Sequence, residues 1–398
     1  MVRPAAAVLV FLSSLGAPGA LFAQQTPDPA AQTQQQPSEL PSVLSKVKVD
    51  RDGGVHFTKH FAVVFGGIKQ GSGIAVGPAV SWEPESGEFV QVKAGYSWHH
   101  FRLVQARYDS RPLWGKRAVF STRLRWQDAP KLSLYASGPD SSDRRVEFGA
   151  RKTEWSGFLK TKVAPKTSVS AGSGVERYAA NNGWIDPGED EVLGEVPVAP
   201  GLGTRPWFVH SFASVSNDTR FSPDYSRTGR LLSAGFHDYR DQQNGSLSFE
   251  RFELAAVQLL PTFRVAGAPD TRYRGALGFF ARAWLSQTSG DNDVPFFLMP
   301  TLGGGDYLRG YATYRFRDRN AALLGAEYRW AVHKMIDIAG LFEAGTVSPT
   351  VGGLASSKVA PSGGVGVRVH SKTAGLLRVD LAGGREGVKF TVGVTTGS

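Results

Sequence analysis

The chain has 398 residues, a formal net charge of +10 and no cysteine. Without cysteine there is no disulfide framework, no thiolate metal site, no cysteine nucleophile and no lipid-modified N-terminal cysteine. With 41 % hydrophobic residues, 47 glycines and 20 % charged residues, the sequence is not that of a disordered chain.

Residues 1–23 read as a secretory signal. Arg3 supplies the positive start, Ala5–Leu12 the apolar core, and Ala20-Leu21-Phe22-Ala23 the small residues before a cut after Ala23. The apolar run is too short to cross a bilayer, and Pro18 and Gly19 follow it. Residues 24–54 begin Gln/Pro-rich and have no hydrophobic period. They are expected to form a disordered periplasmic tether. Lys and Arg are scattered and alternate with apolar residues, a pattern that fits anionic lipid headgroups and not nucleic acid.

From Val55 to Ser398 the period is two. Val90, Val92, Ala94, Tyr96 and Trp98 share one face, against Gln91, Lys93, Gly95 and Ser97. Ala118, Phe120, Thr122, Leu124 and Trp126 oppose Ser121, Arg123 and Arg125. Ala322, Leu324, Ala326, Tyr328 and Trp330 oppose Gly325, Glu327 and Arg329. Val365, Val367 and Val369 oppose Gly366, Arg368 and His370; Leu377, Val379 and Leu381 oppose Arg378 and Asp380. Val388, Phe390, Val392 and Val394 close the series. Turn signals such as Glu85-Ser86-Gly87, Asn244-Gly245 and Gly383-Gly384 separate the runs, of which there are about sixteen.

A soluble sandwich and a membrane barrel share this pattern. Three features favour the barrel. The chain carries an export signal. Trp82, Trp98, Trp126, Trp155, Trp207, Trp284 and Trp330 lie near apparent strand ends, where an aromatic girdle sits. The polar faces hold full charges and glycines, which suits a wet or plugged lumen. The expected fold is all-β, a transmembrane antiparallel barrel of about sixteen strands over residues 55–398, in the outer membrane of a Gram-negative bacterium with its N-terminus periplasmic.

One stretch, residues 293–347, departs from the rhythm. A loop spanning 287–319 contains Gly303-Gly304-Gly305, then Leu308-Arg309-Gly310-Tyr311, then Arg315-Phe316-Arg317-Asp318. It is too long for a simple hairpin, and such loops are functional or fold inward. The next strands carry Gly325-x-Glu327-x-Arg329 and Leu341-Phe342-Glu343-Ala344-Gly345. Alternation puts Glu327, Arg329 and Glu343 inside. A guanidinium entering a narrow lumen needs a carboxylate, so Arg309 is expected to pair with Glu343, with Glu327 as second partner. The alternative is a surface loop charge.

These pieces resemble the barrel domain of the bacterial surface antigen superfamily, which includes BamA-type assembly proteins and two-partner secretion transporters. The Gly-rich lead, the Arg309-Gly310-Tyr311 tip and the Gly325-x-Glu327-x-Arg329 strand match; Glu343 stands where the family usually has Asp. Tyr135–Asp143 is similar to the family's Gly-Pro-Asp-Ser turn, and Ser72–Gly77 to its barrel start. The resemblance implies a sixteen-stranded barrel with this loop folded into the lumen. It also implies an activity of inserting or moving protein, or lipid, at the outer membrane. The superfamily often carries periplasmic polypeptide-transport-associated domains before the barrel. The residues between the cleavage site and Val55 are too few for one, so partners are expected to be outer-membrane lipid and either a protein cargo or a separate periplasmic protein. Thr396 stands where a terminal aromatic residue is expected.

Enzymatic motifs are lacking: no HExxH, G-x-S-x-G elbow or phosphate loop occurs. His99 and His100 would point to opposite faces of a strand, which does not suit a shared metal. His237 near Ser233 is the one pairing that could suggest a lipid hydrolase. Asp186, Glu189, Asp190, Glu191 and Glu195 cluster in the loop 178–204 but lack calcium-loop spacing and read as a solvated outer loop. The expectation is a protein with no catalytic residue, cofactor or metal. A passive outer-membrane pore and, last, a lipid hydrolase are the alternatives.

Overall fold

A computed structural model of the chain describes residues 54–143, 145–181, 199–222, 225–243, 245–264, 273–371 and 375–394. The signal and nearly all of the tether, the acidic loop residues 186–195 and Thr396 lie outside the described residues. We number sixteen strands: β1 (Phe61–Gly66), β2 (Ala75–Trp82), β3 (Phe89–Ser97), β4 (Arg102–Asp109), β5 (Ala118–Leu134), β6 (Val146–Ala164), β7 (Thr167–Asn181), β8 (Trp207–Asp218), β9 (Gly229–Asp241), β10 (Phe249–Arg264), β11 (Tyr273–Gln287), β12 (Asn320–His333), β13 (Ile336–Ser348), β14 (Ala360–His370), β15 (Gly375–Gly384) and β16 (Gly387–Val394). Each pairs antiparallel with its neighbour in sequence, so the sheet is one continuous meander. It is the sixteen-stranded antiparallel arrangement of a membrane barrel.

An even strand count puts both ends of the sheet's chain at one mouth and the loop 288–319 at the other. No ladder joins β16 to β1 among the described residues. Instead a three-residue strand, Gly54–His56, pairs antiparallel with β1 through Gly54↔Val64 and His56↔Ala62. The seam between first and last strands is therefore not zipped by backbone hydrogen bonds there.

Alternation decides which side chains meet which solvent. Val365, Phe390, Val388 and Leu324 are more than half exposed on the outer face, whereas Glu327, Glu343 and Asp380 have no exposure on the inner one. Polar inside and apolar outside inverts a soluble protein, and lipid is the medium that makes it favourable.

The tryptophans need correction. Trp126 and Trp155 sit in mid-strand, paired across β5 and β6 with Thr153 and Leu124. These strands run 17 and 19 residues, well past the ~10 needed to span. From Ala118, Trp126 lies about 20 Å up the tilted strand, which is the height of the far interface. Trp284 is not in the girdle at all. It is paired with inward-facing Glu253 and packs against Tyr307 of the loop, ring centroids 5.5 Å apart. The inner wall is likewise not uniformly polar. Leu231, Val257, Leu259, Phe280 and Leu323 form an apolar patch on its inside, because the loop brings apolar residues that need a dry seat.

A lysine placed on this outer face tests the assignment. Leu381→Lys on β15 should reduce bilayer-inserted stability by about 2–4 kcal/mol if it lies near the midplane. Reversible urea unfolding in vesicles would read that loss.

Candidate functional site

The loop 288–319 crosses the mouth before it descends. Its first part, with a single 3₁₀ turn at Phe296–Leu298, packs Val294, Phe296 and Met299 against Phe148, Phe208 and Phe249 at the ends of the wall strands. Phe296 and Phe148 meet edge-on at 4.9 Å. The mouth is capped by this apolar layer. The loop then narrows into a two-residue ribbon, Thr301–Leu302 against Phe316–Arg317, and turns back through the segment between them.

That turn is built from glycine for steric reasons. Gly303 and Gly304 have φ of +109° and +99°, the left-handed region that disfavours side chains. A Cβ on Gly310 would lie 2.4 Å from the carbonyl carbon of Gly383, so only glycine lets the tip touch β15. Gly305 is different: a Cβ there would make ordinary contacts only. Leu308, with φ of 53°, and Tyr311 bury themselves in the apolar patch, and the Tyr311 hydroxyl donates to the Pro361 carbonyl at 3.0 Å.

Between Leu308 and Gly310 stands Arg309, with no solvent exposure. Its backbone N–H donates to Glu343 Oε2 at 2.8 Å, and its Nε and Nη2 donate to Glu343 Oε1 at 3.1 and 3.0 Å. Its Nη1 reaches Glu327 Oε2 at 3.2 Å and Asp380 Oδ2 at 3.3 Å. Burial pulls the guanidinium's pKa down, but Glu343, Glu327 and Asp380 more than offset it and hold it above its ordinary value. A second shell of cations balances the carboxylates. Arg368 binds Glu327 at 2.7 Å and Asp380 at 2.7 Å, and Arg378 reaches Asp380 at 3.3 Å. Asp380, Arg368 and Arg378 were visible as inward polar positions, but their convergence depends on the curvature of β12 to β15.

Arg329 stands apart from the tip. Its Nε is 3.9 Å from Glu327, while its Nη2 donates to the Ser226 carbonyl and its guanidinium lies over the Tyr225 ring at 4.8 Å. Tyr225–Arg227 belong to the β8–β9 connection at the opposite mouth, and they tuck inward. The Tyr225 hydroxyl donates to Asp337, Arg227 binds Asp337 at 2.6 Å, and the Tyr225 ring stacks on His370 at 3.8 Å. Sequence reasoning missed this second clasp, since nothing in a ten-residue polar connection marks it.

Other contacts fix the loop from above. Arg315 binds Glu386 at 2.6 Å and donates to Ser141 Oγ at 2.8 Å, and the Gly138 N–H donates to the Arg317 carbonyl at 2.9 Å. The 135–143 turn singled out in the sequence thus grips the loop. So does the β1–β2 turn, where the Tyr314 hydroxyl donates to the Gln70 carbonyl at 2.7 Å. Burial, helped by the Arg317 charge, lowers neighbouring Lys69 to about 8. The histidines make other contacts. His237 binds His210 at 3.0 Å, and Ser233 lies four residues away along the strand. His210 in turn binds Glu176 at 2.9 Å. Among the described residues no group of His, Asp and Glu could hold a metal ion.

No protein-family model matches the sequence, and no curated protein matches it. Solved structures do. One is the crystal structure of BamA from Haemophilus ducreyi lacking POTRA domains 1–3, with TM-score 0.60, 13 % identity, and coverage of 84 % of this chain and 69 % of that one. Another is CdiB from Escherichia coli, with TM-score 0.52, 13 % identity, and coverage of 86 % of this chain and 62 % of that one. The fold is the one these two barrels share. At this identity the likeness speaks for the fold, and the chain spans about two thirds of either structure's length.

Two variants test the energetics. Arg309→Ala leaves three buried carboxylates short of a cation and should cost about 3–5 kcal/mol in urea unfolding. Gly310→Ala should free the loop at a smaller cost, read as protease cutting within 303–315. For Lys69 the unfolded chain binds the proton more tightly between pH 8 and 10.5, so stability rises with pH across that window. Lys69→Met should therefore raise the heat-denaturation midpoint at pH 7, and that advantage should fade as the pH rises from about 8 to 10.5.

Proposed function

We propose that this chain is an outer-membrane barrel, N-terminus periplasmic, that inserts or moves polypeptide at that membrane without making or breaking covalent bonds. Glu327, Glu343 and Asp380 act as the receptor for an Arg309 latch. The observation that carries the reading is that latch: a loop tip whose buried guanidinium is held inside the lumen by charge-assisted hydrogen bonds to three carboxylates. Such contacts are strong when dry, yet water can replace every one of them. A loop held this way can leave and return, whereas one held by a covalent or fully apolar anchor would not.

Two further features support it. An apolar layer of loop and wall residues lies at the loop-bearing mouth, which favours a plugged resting barrel over an open pore. The unzipped seam beside β16 leaves backbone N–H and C=O groups that an extended segment of a cargo polypeptide can pair with. The partners in this reading are outer-membrane lipid, a polypeptide cargo and a separate periplasmic protein that delivers it. The fold shared with BamA and CdiB structures agrees with this class of activity.

Single-channel recording in planar bilayers tests it. The wild type should give a low, flickering conductance, and Arg309→Ala a larger and steadier one. A large steady conductance in the wild type, unchanged by the substitution, would make the protein a passive pore.

A further inference from the structure

Far along the sheet from the latch, the inner wall carries a second concentration of charge with a different balance. Register aligns it in rows across β3, β4 and β5. In one row Gln91 faces Arg107, and Arg107 faces Arg123. In the next, Lys93 faces Gln105, and Gln105 faces Arg125. Arg107 is satisfied, bound to Asp109 at 2.7 and 3.1 Å.

Arg123 and Arg125 are not. Among the described residues neither makes a hydrogen bond or an ion pair, and the Nε of each is shut away from solvent with no acceptor. Arg123 is 7 % exposed and Gln91 1 %, and both amide atoms of Gln91 also lack partners. Glu154 faces Arg125 from β6, but Lys152 already holds it at 2.8 Å.

This arrangement is unfavourable as it stands. Like charges directly opposite one another across two strands repel, and a buried donor without an acceptor costs free energy. At the latch Arg368 likewise faces Arg378 across two strands, but there Asp380 binds both guanidinium groups. With Arg107 paired to Asp109 and Glu154 held by Lys152, the two guanidinium charges of Arg123 and Arg125 are left unmatched. A doubly charged acceptor between the rows would relieve the repulsion and satisfy the guanidinium forks, whose geometry matches phosphate. The Gln91 amide N–H would add a neutral donor.

We infer that the inner face of β3–β5 is a binding site for a phosphate group, held by Arg123 and Arg125 with Arg107 and Gln91 alongside. Gln91 is the third residue of β3 and Arg107 the third from the end of β4. The site's first row therefore lies about 7 Å inside the mouth opposite the loop, and the site climbs along β5 to Arg125, beside Trp126. The ligand is either a phosphorylated solute entering by that mouth or the phosphorylated headgroup of a membrane lipid. The inference stands independently of the transport reading.

The experiment is heat unfolding of the full chain in neutral detergent, with inorganic phosphate against chloride at equal ionic strength, followed by micelles doped with a phosphorylated or a dephosphorylated lipid. Phosphate should raise the midpoint of the wild type, and Arg123→Gln/Arg125→Gln should weaken that binding by about tenfold or more. A response to the phosphorylated lipid alone, lost in the same variant, assigns the ligand to a headgroup. No response to either probe, or an equal response in the variant, overturns the site. Arg123→Glu guards against a variant that fails to fold. It places a carboxylate opposite Arg107, so it should be more heat-stable than wild type without phosphate and indifferent to phosphate. A less stable Arg123→Glu would overturn the argument from unpartnered charge.

Discussion

A guanidinium with no contact with water must be neutralised by its surroundings, and the placement of Arg309 depends on that constraint. One carboxylate could not do it without strain, since the tip presents three N–H directions at once. Glu343 takes the side edge and the backbone N–H, while Glu327 and Asp380 share the remaining nitrogen. These acids come from β13, β12 and β15, so the latch also fixes how far the wall curves there. Buried ion networks of this kind add little net stability over an apolar core, but they penalise every alternative register. Their contribution here is to allow one seating depth for the loop.

The lumen is thus divided by chemistry along its length and around its circumference. An apolar layer caps the loop-bearing mouth, a balanced charge network sits below the tip, and the Tyr225–Arg227 clasp lies toward the other mouth. The β3–β5 wall carries cations in excess. The wall strands differ in length as well. β1 and β2 have 6 and 8 residues, whereas β5 and β6 rise well beyond the membrane and carry the turn that grips the loop. The barrel is therefore tall on one side and low beside the seam.

Much of this was legible in the sequence because period-two alternation is a local property. Val365, Val367, Leu381 and Phe390 announce an outer face without knowledge of their neighbours, and Glu327 and Glu343 an inner one. The Arg309 tip was legible because a charged residue amid glycines in an overlong loop has few places to go. What escaped was set by three-dimensional closure. Asp380 lies three strands from Glu327, and only curvature brings both to one nitrogen. Trp284 has the right distance from its strand end for a girdle, but its parity places it inside, and the loop's need for a dry seat explains why a tryptophan is tolerated there. Tyr225 is one aromatic residue in a polar turn, and its stacking partner His370 is 145 positions away in the chain.

The strand at Gly54–His56 bears on how such a barrel coexists with copies of itself. Over the described residues the sheet has two raw edges, and raw edges invite pairing with any other extended chain. Along β1 the backbone groups from Ala62 to Val64 are already taken by Gly54–His56. In a crowded membrane, seam-to-seam fusion of two barrels through β1 would first have to peel that short strand away. Peeling three residues is a small task for a segment with a long matching strand and a large one for an accidental neighbour. The edge is thereby left selective without being closed.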